Sequence, residues 1–376
     1  MPPASSPVEP GPDGSTAREV PAGEALTVEE SIALPKVLLH DHLDGGLRPT
    51  TLIELADGIG WELPASDPDE LQRHVTAAVD ADDILAYLAT FDHTLAVMQR
   101  ADAIERIAAE AVNDLAADGV VYAEIRLAPE QHQERGLGLD EVVEAVTAGF
   151  RRGEAEAAAA GSTITVNAIL CAMRTADRSL EIARLVDRMR AHDDKVVSFD
   201  LAGAETGFPP SLHAEALAFA RHTMQNITIH ASEPPDLELI ADAIEHGAHR
   251  IGHGVRLQSD IDFASGSMGP LARHVLDRGI HLEMAPTCHV HVGAVASIEA
   301  HPLAPMLRAG FDVGINTDNR LMSGVMPSSE LRTIANAHSL SRAEMGRLAE
   351  NAMTAAFAPL EFRRRVVDEV LRPAYA

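Results

Sequence analysis

Two cysteines, two lysines and the lack of any long apolar run set the first limits on this 376-residue chain. Cys171 and Cys288 are far apart in sequence. They read as free thiols in a reducing compartment rather than as a disulfide framework. No stretch approaches the ~20 apolar residues that a membrane helix needs. The opening MPPASSPVEPGPDGSTAREVPAGE has no basic segment followed by an apolar one, so no signal peptide is expected. The expectation is a soluble, cytoplasmic protein with no membrane partner. Positive charge is scarce as well: the formal net charge is −27 at pH 7. Such a surface repels phosphate backbones, which makes nucleic acid a poor partner. The charge also serves solubility and identifies no function by itself. There is no repeat of fixed period, and nothing in the sequence speaks to oligomeric state.

What is present is a large apolar fraction, 46%, enough for one big α/β barrel or two average domains. Residues 1–33 are rich in Pro, Gly, Ser and Glu and read as a disordered tail with no catalytic role. Residues 34–376 read as a single domain. In it, short apolar runs alternate with longer amphipathic ones. The strand candidates are Val37–His40, Val120–Leu127, Ile164–Cys171, Val196–Leu201, Ile227–His230, Arg250–Gly252, His281–Met284 and Val313–Asn316. Helix-like segments such as Asp140–Ala160, Arg178–Ala191, Ser211–His222 and Asp236–His246 separate them. Buried, β-branched strands alternating with helices imply a parallel sheet. Eight such units fit a closed (β/α)₈ TIM barrel better than an open sheet. No GxGxxG follows the first strand, which counts against a dinucleotide-binding fold. The first crossover, from Gly46 to about Gly119, is long and helical in pattern, including Asp83–Ala96 and Ala103–Ala117. Long βα insertions sit over a barrel's mouth, so a helical lid is expected there.

Polar residues gather at the C-terminal ends of these strands, where barrel active sites are built. The first strand ends in His40-Asp41-His42-Leu43-Asp44-Gly45. Residues two apart on a strand point to the same side, so His40 and His42 can share one metal. Alone, such a pair is equally a chance or structural feature. The fifth strand ends in His230-Ala231-Ser232-Glu233, the sixth runs into His253-Gly254, and the eighth ends in Asn316-Thr317-Asp318-Asn319. Each has an ordinary reading as a satisfied polar group or a turn. Together, three imidazoles and a carboxylate from strands one, five and eight can converge on one ion, and these are suitable zinc ligands with a position left for water.

PKVLLHDHLDG, VVSFDLAGAE, TIHASE, RIGHG and NTDNRLMSG, in this order and spacing, resemble the adenosine deaminase family of the amidohydrolase superfamily. The likeness runs from about Pro35 into the C-terminal region. It implies a hydrolase that exchanges the 6-amino group of a purine nucleoside for oxygen. By resemblance, His40, His42, His230 and Asp318 would hold zinc, and Glu233 would protonate N1 of the purine. His253 would orient the attacking oxygen. The backbone N–H of Gly203 would meet N3, Asp44 would bind the ribose end, and Asn319 would face N7. His42 would also border the substrate.

The chemistry is consistent with those roles. Zinc lowers the pKa of a bound water from 15.7 to about 7. Addition at C6 of the ring needs a proton delivered to N1, general-acid work for a glutamate whose pKa is raised by burial. The other zinc deaminase signature, H-x-E with P-C-x-x-C, is absent, which excludes the cytidine deaminase fold. Binuclear relatives often bridge two metals with a carboxylated lysine at the end of strand four. Here Lys195 precedes that strand and Lys36 precedes strand one, so one zinc per chain is expected. Tyr87, Leu88 and Phe91 share one helical face in the lid. By resemblance Tyr87 and Phe91 would border the purine pocket, and packing of the lid helix explains them equally well.

Three departures bear on the substrate. Ser232 replaces the usual glycine of His-Ala-Gly-Glu, Ala285-Pro286-Thr287-Cys288-His289 replaces Cys-Pro-Ser/Thr-Ser-Asn, and Asn319 replaces a second aspartate. Deamination of adenosine or 2′-deoxyadenosine stands first. A relative acting on another 6-aminopurine nucleoside, such as aminodeoxyfutalosine or a nucleoside antibiotic, stands second. A catalytically weak zinc-binding relative is the third reading, and AMP is disfavoured because no basic phosphate loop is seen.

Overall fold

The structure is a computed structural model that describes residues 25–79 and 84–376, without the side chains of residues 79 and 84–89. Eight parallel strands form one sheet in chain order: Lys36–His42, Val120–Leu127, Thr165–Met173, Val196–Ala202, Asn226–Ala231, Arg250–His253, His281–Met284 and Val313–Ile315. They are the eight strands read from the sequence, with ends that differ by a residue or two.

The last strand closes on the first. Val313–Ile315 is short, and a side chain completes its ladder: Asn316 Oδ1 accepts the N–H groups of Leu39 and His40 at 2.8 and 3.0 Å. Beyond it, His42 N–H donates to Asp318 O at 2.7 Å and Asp318 N–H to His40 O at 3.0 Å. The sheet is thus a closed TIM barrel, with helices such as Leu139–Ala159 and Ser179–Arg190 outside it.

Among the described residues, the crossover after the first strand holds four helices, Pro49–Ile59, Pro68–Val79, Ile84–Val97 and Ala101–Ala117. Two of them touch the segment after the eighth strand. Gln72 Nε2 donates to Leu321 O at 2.7 Å, and Thr90 Oγ1 to Met322 Sδ at 3.4 Å. The expected cover over that end of the barrel is therefore present.

Two features depart from the sequence reading. Val28–Ala33, inside the stretch read as tail, is a helix with a Thr27–Glu30 capping box, which satisfies backbone groups at its start. The first 24 residues lie outside the described part of the chain. A small antiparallel hairpin, Ile261–Asp262 with Ser267–Met268, follows the sixth strand; strands of two residues carry no readable periodicity.

The barrel's interior is ionic rather than apolar. Arg126 bridges Asp200 and Glu283 at 2.7 Å each. Arg250 joins Glu283 at 2.6 Å to Glu124 at 2.7 Å. All five side chains are essentially unexposed. Buried charges persist only when paired and hydrogen-bonded, and each carboxylate here meets at least one guanidinium.

Candidate active site

The alternation in KVLLHDH places His40 and His42 on one side of the first strand. His230 comes from the fifth strand and Asp318 from just past the eighth. One donor atom from each of these four residues lies within 4.8 Å of the others. Asp318 Oδ1 is 3.3 Å from His40 Nε2 and 3.4 Å from His42 Nε2. His42 Nε2 and His230 Nε2 stand 3.1 Å apart.

The far sides of two rings fix their tautomers. His40 Nδ1–H donates to Glu283 Oε2 at 2.9 Å, and His230 Nδ1–H to Asp200 Oδ2 at 3.1 Å. A carboxylate only accepts, so in the neutral rings both Nε2 atoms carry lone pairs aimed at the centre of the cluster. His40 Nε2 is buried with no hydrogen-bond partner. Converging lone pairs beside a carboxylate repel one another unless a cation lies among them, so the donor set fits a divalent metal, and its nitrogen–oxygen character suits zinc.

Asp318 is held for that purpose. Its Oδ2 accepts from Cys288 Sγ–H at 2.9 Å and from Asn319 Nδ2 at 2.7 Å, which turns Oδ1 toward the histidines. Its backbone sits at φ 57°, a left-handed conformation that costs of order 1–3 kcal/mol outside glycine. The strand-closing hydrogen bonds to His40 and His42 hold it there. Gly45 leaves the room Asn319 needs: a Cβ on Gly45 would lie 2.0 Å from Asn319 Oδ1.

Glu233 and His253 border the cluster, with Glu233 Oε1 3.7 Å from His253 Nε2. Burial, then the carboxylates of Glu205 and Asp318, raise Glu233 well above the usual carboxylic range. Glu205 Oε1 accepts the Glu233 N–H at 3.1 Å. Burial, then His40, pushes His253 well below the ordinary imidazole value, so its ring is neutral. His253 also takes a left-handed backbone, φ 64°.

Asp44 is buried, 3.9 Å from His42 Nδ1, and burial lifts its carboxyl to about 6. Gly203 follows the fourth strand, exposed, at φ 92°, a conformation that favours glycine. Phe91 is half-buried and packs against the main core. Tyr87 lies on the helix Ile84–Val97, and its side chain is outside the described residues.

The sequence reading did not name the groups behind the ligands: Glu283, Arg126 and Asp200's bond to His230. Their signal was charge within otherwise apolar strands, as in EIRL, SFDL and HLEM. Neither lysine reaches the site. Lys36 Nζ donates to the carbonyls of Ser31, Ile32 and Leu34, and Lys195 Nζ pairs with Glu154 at 2.5 Å.

A closed α/β barrel with three imidazole nitrogens and a carboxylate at the C-terminal ends of its strands is a metal-dependent hydrolase. The sequence profile named adenosine deaminase matches residues 35–373. The chain belongs to the adenosine deaminase family, hydrolases of carbon–nitrogen bonds. It is 49% identical over 356 residues to the adenosine deaminase of Mycolicibacterium gilvum (strain PYR-GCK), covering 93% of this chain and 98% of that one. It is 47% identical over 347 residues to adenosine deaminase 1 of Streptomyces coelicolor, covering 91% of this chain and 87% of that one. Among solved structures, the adenine deaminase of Arthrobacter aurescens superimposes with a TM-score of 0.79 at 26% identity, covering 92% of this chain and all of that one.

Proposed function

We propose that the protein is a zinc enzyme with one metal per chain that converts adenosine and 2′-deoxyadenosine to inosine and 2′-deoxyinosine, releasing ammonia. His40, His42, His230 and Asp318 would hold the zinc. When bound, the ion supplies a water acidic enough to ionise near neutral pH. Protonated Glu233 donates to N1 and so neutralises the charge that develops as C6 is attacked. His253 orients the attacking oxygen from the other side. The Gly203 N–H meets N3, Asn319 faces N7, and Asp44 with His42 borders the ribose end. Phe91 would line the lid side of the pocket.

The observation that carries this reading is the Glu233 carboxyl, its pKa raised by its surroundings, beside four converging metal donors. The absence of a lysine near the cluster supports a single ion. One barrel domain from about residue 34 onward suffices for the chemistry, and the N-terminal segment takes no part. Two free buried cysteines suit a cytoplasmic enzyme. Another 6-aminopurine nucleoside is the second reading, supported by Ser232, whose buried Oγ has no hydrogen-bond partner in a position where the family usually has glycine.

The test is a panel of adenosine, 2′-deoxyadenosine, adenine, AMP and modified 6-aminopurine nucleosides, followed by loss of absorbance near the adenine maximum, with metal analysis of the active protein. Adenosine should turn over fastest at one zinc per chain. Turnover of another nucleoside in preference to adenosine, or two tightly bound metals, would overturn the corresponding part of the proposal.

A further inference from the structure

Behind His253 stand two further histidines that the chemistry above does not use. His253 Nδ1 is 3.1 Å from His289 Nε2. His289 Nδ1 is 2.9 Å from His301 Nε2, with the two rings 4° from parallel. His301 Nδ1 accepts the backbone N–H of Leu303 at 3.2 Å. His289 and His301 are wholly buried, and His253 nearly so.

We propose that His289 and His301 are positioning residues that lock His253 in the tautomer bearing its hydrogen on Nε2, by passing the polarity of the Leu303 N–H through two buried rings.

A backbone N–H only donates, so His301 Nδ1 carries a lone pair. A neutral imidazole has one N–H; that of His301 is therefore on Nε2 and donates to His289 Nδ1. By the same step the hydrogen of His289 is on Nε2 and donates to His253 Nδ1. The hydrogen of His253 is then on Nε2, the nitrogen that faces Glu233 Oε1. A charged ring anywhere in the line would set N–H against N–H. Burial supports neutrality at the far end, pushing His301 down to about 3.

The line ends on an amide that has no proton to release, so it sets a direction and conducts nothing. His253 is thereby a hydrogen-bond donor toward the reacting oxygen, with no lone pair on that side to act as a base. His289 stands where the family's usual motif has asparagine. This inference rests on the proposed deaminase reading only for what His253 donates to.

The test is long-range ¹H–¹⁵N correlation on zinc-loaded protein labelled with ¹⁵N-histidine, which distinguishes protonated from bare ring nitrogens. His253, His289 and His301 should each show a protonated Nε2 and a bare Nδ1. His301→Phe removes the donor to His289, so the His253 signal should spread over both tautomers, and kcat should fall about 10- to 100-fold with KM within about twofold. His301→Gln offers both an acceptor for Leu303 and an N–H for His289, and should restore the spectrum and most of kcat. A wild-type His253 protonated on Nδ1 overturns the proposal, as does an unchanged His253 pattern in a folded His301→Phe. Should that variant not fold, the wild-type spectrum decides alone. The spectra are read whether or not adenosine is the substrate, so failure of the relay and failure of the deaminase reading remain distinct.

Discussion

Arg126 and Glu283 meet at 2.7 Å on the floor of the barrel, both wholly buried. The guanidinium also reaches Asp200 at 2.7 Å, so one cation holds both carboxylates that orient His40 and His230. Arg126→Met should leave those carboxylates short of positive charge, lowering stability by about 3–5 kcal/mol. Zinc affinity should weaken about 10- to 100-fold as the ligand rings lose their supports. Chelator competition and urea unfolding measure the two effects. Zinc binding as tight as in the wild type would remove Arg126 from the metal site's support.

Glu233→Gln keeps the shape of the side chain but has no acidic proton for N1. We expect kcat to fall about 10²- to 10⁴-fold while zinc content and melting temperature stay unchanged. A near-normal kcat would show that another group supplies the proton.

Asn319 should distinguish adenosine from 7-deazaadenosine, which lacks the acceptor at N7. One hydrogen of its Nδ2 is committed to Asp318 Oδ2, which fixes the amide in the pocket. Losing the N7 contact in a buried site should cost about 1–3 kcal/mol, roughly 5- to 150-fold in kcat/KM. Asn319→Ala should narrow the ratio. Equal kcat/KM for the two substrates in the wild type would place the base differently.

Glu330 gives the fold a pH dependence of its own. Its Oε2 accepts the Thr287 N–H at 3.2 Å, and burial lifts the carboxyl from 4.5 to about 7. Between these values the unfolded chain has lost the proton that the folded chain still holds. The native state then binds more protons, so stability falls as pH rises through that window and stays lower above it. At about 1.4 kcal/mol per unit the loss is on the order of 3 kcal/mol. Glu330→Gln still accepts from Thr287 and cannot ionise. It should match the wild type near pH 4.5 and exceed it at pH 8 in urea unfolding. Parallel pH profiles for the two proteins would discard Glu330 as the source.

The strands were legible because each is a short buried run, most of them with β-branched residues, and the two-residue spacing in KVLLHDH showed that His40 and His42 share a side. The four converging donors, His40, His42, His230 and Asp318, were legible because they sit at strand ends in compact motifs. Their supports were not. Glu124, Arg126, Arg250 and Glu283 come from the second, sixth and seventh strands, and the pairs Arg126–Glu283 and Arg250–Glu124 form only when the sheet curls into a barrel. No local spacing encodes a contact across that interior. His301 sits in a loop, EAHPLA, whose closeness to His289 is set by tertiary packing. The helix Val28–Ala33 was hidden for the opposite reason: its capping box, TVEE, is local and readable, but the composition around it is that of a tail.

Closure through the Asn316 side chain has a consequence for how the protein is made. The ligands are spread along the chain, with two on the first strand, one on the fifth and Asp318 past the last. A nascent chain on the ribosome holds no complete set until the eighth strand has emerged and docked. Metal uptake through the proposed ligands would therefore mark completion rather than nucleate folding. Once seated, the ion would rivet the opening strand to the final one at a seam otherwise joined by the Asn316 amide and two backbone hydrogen bonds of Asp318, so unzipping the barrel from that seam is the route most resisted by the metal.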